Sequence, residues 1–208
     1  MNRYAEARQR FQTYKIARFV TAKDYWQALG LCTPICLAVA IAVAPHFSLG
    51  KSGAAIGFGL LCWTLFEYLT HRFTFHVAFY LFREKWKIAF IHNNHHAAPE
   101  EGVNAGMISS LYMLSVCLLI NFVLTRDLKL SLVVLIGNAL GHMAYEWIHY
   151  QEHFHKTDNF YVRYMTSFHD THHYKNIRCN FGITSPLWDI LLGTFHWPAR
   201  ALAKTRHR

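Results

Sequence analysis

The sequence predicts an all-α integral membrane protein: four transmembrane helices joined to a histidine-rich helical cap. Three observations predict it. Four apolar stretches fall within only 208 residues. A composition of 53% hydrophobic and 16% aromatic residues is rich for a soluble chain, and the length suits one domain. Ten of the 15 histidines lie in four spaced groups at or beyond the ends of the apolar stretches. The groups are His71 and His76; His92, His95 and His96; His149 and His153; and His169, His172 and His173.

In chain order, residues 1–25 are basic and lack the short apolar core and small-residue cleavage site of a signal peptide. They read as a partly amphipathic lead-in to the first span. Residues 25–50 and 102–125 carry no Lys, Arg, Asp or Glu, and each is long enough to cross a hydrocarbon core, which takes about 20 helical residues. Two shorter stretches, 52–66 and 130–145, stay apolar until Glu67 and Glu146, and histidines follow each acid. The expected spans are 26–48, 52–70, 104–124 and 130–148, with the cap formed by 71–103 and 149–208 in one membrane domain.

Orientation follows from the cations, because Lys and Arg near helix ends are retained in the cytoplasm. With both termini inside, the inner segments hold 18 of the 21 cations, and the outer loops hold only Lys51, Arg126 and Lys129. Every histidine group then lies on the cytoplasmic side, in a bacterial inner membrane or the endoplasmic reticulum. The net charge of +9 is accounted for by anionic lipid headgroups, and no nucleic-acid motif is present. The five cysteines are scattered without C-x-x-C spacing, which indicates neither a disulfide framework nor a thiolate zinc site. Cys179 alone falls among the histidine groups.

Neutral imidazole is the commonest protein ligand for transition metals. Four ligands complete a structural zinc site, so ten imidazoles imply two ions of higher coordination number, a dimetal centre. His92, His95 and His96 stand at i, i+3 and i+4, one face of a helix, and His169, His172 and His173 repeat the spacing. Each trio is expected to present three imidazoles in one direction. His149 and His153 stack four apart. His71 and His76, five apart, require a helix end, a bulge or ligands to two ions. Of the rest, His46, His196 and His207 read as ordinary surface or packing residues, while His142 and His155 stand between support of the centre and plain packing.

The motifs EYLTHRFTFH (67–76), HNNHH (92–96), YEWIHYQEH (145–153) and HDTHH (169–173), with NFGITSPLWDILLGTF (180–195), resemble the fatty acid hydroxylase and sterol desaturase superfamily of membrane oxygenases. The order and gaps of the histidines are most similar to its fatty acid 2-hydroxylase branch. The resemblance implies four membrane helices under a cytoplasmic cap and oxygen-dependent hydroxylation of a lipid acyl chain. It also implies a metal-ligand set of His71, His76, His92, His95, His96, His149, His153, His169, His172 and His173. Which histidine binds which ion stays open. No fused haem-containing donor domain is recognisable, so a separate electron-donor protein is expected. Inserting oxygen into an unactivated C–H bond demands a redox metal, which makes iron the functional choice, although zinc fits the same imidazoles. Sterol-type desaturation or carotenoid hydroxylation at the same centre is the alternative. A metal transporter is disfavoured, because a transport path would spread ionisable groups through the spans.

Acids near the motifs are the expected partners of the ring N–H groups: Glu67, Glu146, Glu152 and Asp170, with Asn93, Asn94 and Asn180 behind them. Asp189, inside an apolar run, calls for a partner such as Arg178 or a ligand histidine. Residues 77–91 mix aromatics with cations and suit the headgroup level. With Phe160, Tyr161, Tyr164 and Phe168 they are expected to frame an entrance for the acyl chain.

Overall fold

The computed structural model describes residues 17–82, 85–101, 103–154 and 157–197, together with Glu6 and Gln9. His155, His207 and the lead-in up to residue 16, apart from those two positions, lie outside the described residues. The first elements are a short helix α1 (Ala17–Val20) and a two-residue strand β1 (Thr21–Ala22). Then come α2 (Trp26–Val43), ending in a 3-10 turn to His46, and α3 (Leu49–Leu69), which runs without a break into a π-helix (Thr70–Val77) and α4 (Ala78–Phe82). The second half comprises α5 (Lys87–Ala97), β2 (Asn104–Ala105), α6 (Met107–Thr125), α7 (Leu128–Phe154), α8 (Phe160–Tyr174) and α9 (Leu187–Leu191). Four helical stretches, Trp26–His46, Leu49–Phe82, Met107–Thr125 and Leu128–Phe154, are long and apolar enough to cross a membrane. Leu37, Ile41, Leu119 and Leu124 project outward from them, as side chains facing lipid should.

α3 and α7 form the axis of the bundle. Gly59 lies against Val134 and Gly137, and Trp63 lies against Gly141, so residue numbers rise together and the two helices are parallel. A Cβ on Gly59 would stand 2.1 Å from Val134 O, and one on Gly137 2.1 Å from Ile56 O, so both positions require glycine for backbone to meet backbone. Asn138 Nδ2 donates to Gly59 O (2.8 Å) and its Oδ1 accepts from Asn121 Nδ2 (2.8 Å), which ties α6 to the pair. Cys32, Trp63, Leu114, Cys117, Leu135 and Ala139, drawn from all four long helices, make the main buried apolar cluster. β1 and β2 pair antiparallel, Thr21 with Ala105 and Ala22 with Asn104, and so bring the chain before α2 onto the chain before α6.

Parallel alignment has a direct consequence. Histidines that follow the apolar parts of α3 and α7 emerge at the same end of the bundle, where α5 and α8 bring the remaining six.

Candidate metal centre

All ten predicted histidines come together, in two groups of five. His71, His76, His92, His96 and His172 form the first, and His95, His149, His153, His169 and His173 the second. Within each group one ring nitrogen per residue lies within 4.8 Å of every other. Each trio is divided, contrary to the expectation that it would point one way: His92 and His96 enter the first group while His95 enters the second, and His169 and His173 enter the second while His172 enters the first. The i, i+4 pair shares a group in both helices, and the remaining residue, offset around the helix, reaches across. The five-residue gap between His71 and His76 is met by the π-helix, whose i→i+5 bonding brings both onto one face, with ring centroids 5.0 Å apart.

The ring orientations say what the nitrogens can do. His71 Nδ1 lies 2.6 Å from Phe181 O, and His172 Nδ1 2.7 Å from Cys179 O. A carbonyl only accepts, so each Nδ1 carries the proton of its neutral ring and each Nε2 presents a lone pair to the group. Successive Nε2 atoms of the first group stand 3.0 to 3.3 Å apart. Adjacent nitrogens on a metal at about 2.1 Å would be separated by about 3.0 Å at right angles. Bare lone pairs at this spacing repel unless a cation sits between them, so the donor set fits a metal ion. The second group is alike. His95 Nδ1 points at Glu101 O (3.1 Å), His149 and His153 Nε2 are 3.1 Å apart, and the His153 and His169 Nε2 atoms 3.3 Å. His95 Nε2 and both His173 nitrogens have no hydrogen-bond partner among the described residues. Where the groups meet, the His96 and His173 rings stack at 4.1 Å.

Burial is the largest influence on these rings, and neighbouring imidazoles add to it. It holds His92, His96, His169 and His173 well below the ordinary histidine range, His95 at about 4 and His172 at about 3. All are therefore neutral at physiological pH, the state a metal requires.

Several acids do something other than expected. Glu67 makes no hydrogen bond to an imidazole among the described residues; its Oε1 accepts from Ile183 N, Thr184 N and Thr184 Oγ1 and so anchors the C-terminal loop to α3. Asp189 is met neither by Arg178 nor by a ligand histidine. Its carboxylate accepts from Phe181 N (2.9 Å), Gly182 N (2.8 Å) and Thr194 Oγ1 (2.7 Å), and burial raises its pKa. Asn180, at φ 57°, bonds Phe168 O and both backbone groups of His196. Together these three hold the carbonyls of Cys179 and Phe181 against His172 and His71. Cys179 thus contributes its carbonyl, and its thiol donates to Asn176 O. Glu152 is fully buried with a carboxylate oxygen 3.9 Å from His169 Nε2. Asp170 and Asn94 are also buried and Asn93 is half-buried. Glu146 accepts from Asn104 Nδ2 (2.7 Å) and Ala105 N (2.9 Å), which fastens β2 to α7. His142 belongs to neither group; it bonds Ser110 Oγ (2.9 Å) and packs on Trp63. His46 is exposed beside Lys129.

Against the histidines lies a cavity of about 300 Å³. Its walls are Trp63, Phe66 and Phe75 from α3 and the π-helix, Ile88 and Ile91 from α5, Tyr112, Met113 and Val116 from α6, Tyr145 from α7, and Val20–Thr21 with Val103–Ala105 around the β pair. His92 of the first group and His95 and His149 of the second open onto it. Phe160, Tyr161, Tyr164 and Phe168 do not frame it. Phe168 is buried with Ile148, Met165 and Ile183, and Tyr161 donates its hydroxyl to Thr184 O. The carbonyls of Glu101, Cys179 and Phe181, and Asn104, were not legible in the sequence; only the run beginning NFGITSP marked the C-terminal part.

A family model described as fatty acid hydroxylase matches residues 56–194, which contain every one of these histidines. The chain belongs to the fatty acid hydroxylase family. Among its members, a dihydroceramide fatty acyl 2-hydroxylase (FAH2) of Arabidopsis thaliana is 26% identical over 85% of this chain and 75% of its own length. The ceramide very long chain fatty acid hydroxylase SCS7 of Saccharomyces cerevisiae is 31% identical over 72% of this chain and 40% of its own. The fatty acid 2-hydroxylase of Rattus norvegicus is 32% identical over 65% and 38%. This hydroxylase-family chain therefore spans three quarters of the plant relative but about two fifths of the yeast and rat proteins. A solved structure of full-length scs7p, in which only the hydroxylase domain is visible, superposes with a TM-score of 0.77 at 25% identity, over 86% of this chain and 69% of that one.

Proposed function

We propose that this protein is a membrane enzyme that hydroxylates a lipid acyl chain with dioxygen at a dimetal centre. The observation that carries the reading is the meeting of two five-nitrogen imidazole groups with one apolar cavity onto which both open. His71, His76, His92, His96 and His172 would hold one ion, and His95, His149, His153, His169 and His173 the other. Iron is the functional metal, since the ions must supply dioxygen binding and electron transfer. The overall reaction takes one C–H bond, one dioxygen, two electrons and two protons to one C–OH and one water.

The chain's own residues do the rest. The carbonyls of Phe181, Cys179 and Glu101 fix three imidazole tautomers, so these lone pairs are directed before any ion arrives. Trp63, Phe66, Phe75, Ile88 and Ile91 exclude water and align a hydrocarbon chain. Among the described residues no Lys or Arg lines the cavity, whereas Glu67 and Glu146 do. The apolar walls suit the hydrocarbon part of an acyl chain, whether it is carried as a free acid or in amide or ester linkage. The charge distribution along the chain supports a cytoplasmic location for the histidine end and for both termini. A separate protein delivers the electrons.

The test is lipid mass spectrometry of cells expressing the wild type beside a His172→Ala variant, with a reductase supplied. Lipids gaining one oxygen atom with wild type only are expected. Loss of two hydrogens instead would mean desaturation at the same centre, and identical lipids with a metal-loaded protein would overturn the assignment as an oxygenase.

A further inference from the structure

We propose that the exposed turn Tyr174–Arg178 is the docking site for an acidic one-electron carrier protein. The inference rests on the hydroxylase reading, which requires two electrons per turnover, and on the proposal that a separate protein delivers them.

Tyr174, Lys175, Asn176, Ile177 and Arg178 are all exposed, yet buried residues flank them on both sides, His172 before and Cys179 after. The turn and the buried residue after it adjoin both histidine groups. Cys179 O accepts from the His172 ring of the first (2.7 Å), and the Tyr174 ring lies 5.8 Å from the His173 ring of the second. It is also well braced, because Lys175 N and Asn176 N both donate to Thr171 O and Arg178 N donates to Asn176 Oδ1. Electron transfer weakens steeply with distance, so a carrier gains most where the protein between surface and centre is thinnest. Tyr174 follows His173 directly in the chain, so this turn stands at the surface next to the histidines.

Its chemistry selects the partner. Lys175 and Arg178 form no ion pair among the described residues, and the stretch from residue 171 to 188 contains neither Asp nor Glu. Tyr174 at 54% and Ile177 at 48% exposure add apolar surface next to the two cations in the chain. A small apolar contact with a charged rim is the form of a weak, fast-exchanging electron-transfer interface. The position is also free of conflict with substrate, since among the described residues none beyond His149 lines the cavity. Lipid and electrons enter on different sides of the centre.

The experiment uses the full-length, metal-loaded protein and a Lys175→Glu/Arg178→Glu variant. Two probes, an acidic soluble haem protein and an acidic plant-type ferredoxin, are titrated against each at low and high salt. A small chemical reductant is used in parallel to drive turnover. At low salt, wild type binds at least one carrier, about tenfold tighter than the variant, and added salt closes the gap. Turnover with the chemical reductant stays within about twofold of wild type, since rim charges set encounter and not chemistry. Equal carrier binding by the two proteins, binding of neither carrier by wild type, or equal loss of chemically driven turnover, which would mean the turn merely supports the histidines, each overturns the proposal. Absence of chemically driven turnover in wild type sinks the hydroxylase reading instead, while the binding comparison still decides the docking site.

Discussion

The two histidine groups are built from the same pieces and held by different ones. Each takes one i, i+4 pair from a trio helix, one residue from the other trio, and two residues from the end of a long helix. The first group relies on the π-helix and on a C-terminal loop whose carbonyls pin His71 and His172. Three side chains, Glu67, Asp189 and Asn180, hold that loop. The second group relies on the regular α7, on Glu101 O behind His95, and on the buried Glu152. One group is thus held by long-range contacts and the other mostly by a single helix and a local turn, so damage at a distance should fall unequally on them.

The largest expected effect is loss of a ligand. His71→Ala or His149→Ala should each abolish lipid hydroxylation and lower the metal content by about one ion per chain, counted by plasma mass spectrometry, since each centre has only five imidazoles. Two ions lost in both variants would mean that the groups load as one unit and would erase the contrast.

A smaller, asymmetric effect is expected at Asp189. Asp189→Asn keeps the shape but weakens three hydrogen bonds to the loop, so affinity for one of the two ions should fall about 10- to 100-fold and the other should hold. Chelator competition resolves the two steps. Equal weakening of both would show that the loop supports both histidine groups rather than the first alone.

Acid acts on both groups with a known sign. His95 at about 4 and His172 at about 3 lie below the ordinary value of 6.5 because burial disfavours their charged form. Between those values the unfolded chain binds more protons than the folded one, so stability is fully present above about 6.5 and is lost as pH falls towards about 4. Protons also compete with the metal in the same direction. The metal-free protein should melt progressively lower from pH 7 to pH 5, and the loaded protein should release its ions over that range. A melting temperature indifferent to pH would mean that the rings are charged or solvated in the folded state.

The smallest effect belongs far from both groups. Asn138→Ala removes the bonds to Gly59 O and Asn121 Nδ2 and should cost about 1 kcal/mol of unfolding free energy in detergent titration, at about 0.6 kcal/mol for each interhelical hydrogen bond in a membrane protein. Metal content should not change.

Much of this was legible beforehand. Apolar runs interrupted at Glu67 and Glu146 announced the histidine-bearing helices, and the spacing of ten histidines announced their convergence. The division of the trios was not legible, because it depends on the angle at which α5 and α8 cross the centre, and nothing in the H-x-x-H-H spacing records that angle. Nor were the roles of Glu67, Asp189 and Asn180. Their partners are mostly backbone amides and carbonyls, which leave no trace in residue identity, so proximity to histidine motifs pointed to imidazole instead. The cavity walls were missed for a related reason: Val20–Thr21 and Val103–Ala105 meet through a two-residue strand pair too short to leave a pattern.

The glycine contact between α3 and α7 bears on the membrane itself. Bilayers differ in thickness by several ångströms, and helices answer by tilting or by sliding past one another. Backbone seated on backbone at Gly59 and Gly137, latched by Asn138, resists sliding, so a change in thickness must tilt the pair as one body. The ends of both helices then move together, and the histidine geometry they carry is insulated from the lipid composition around it.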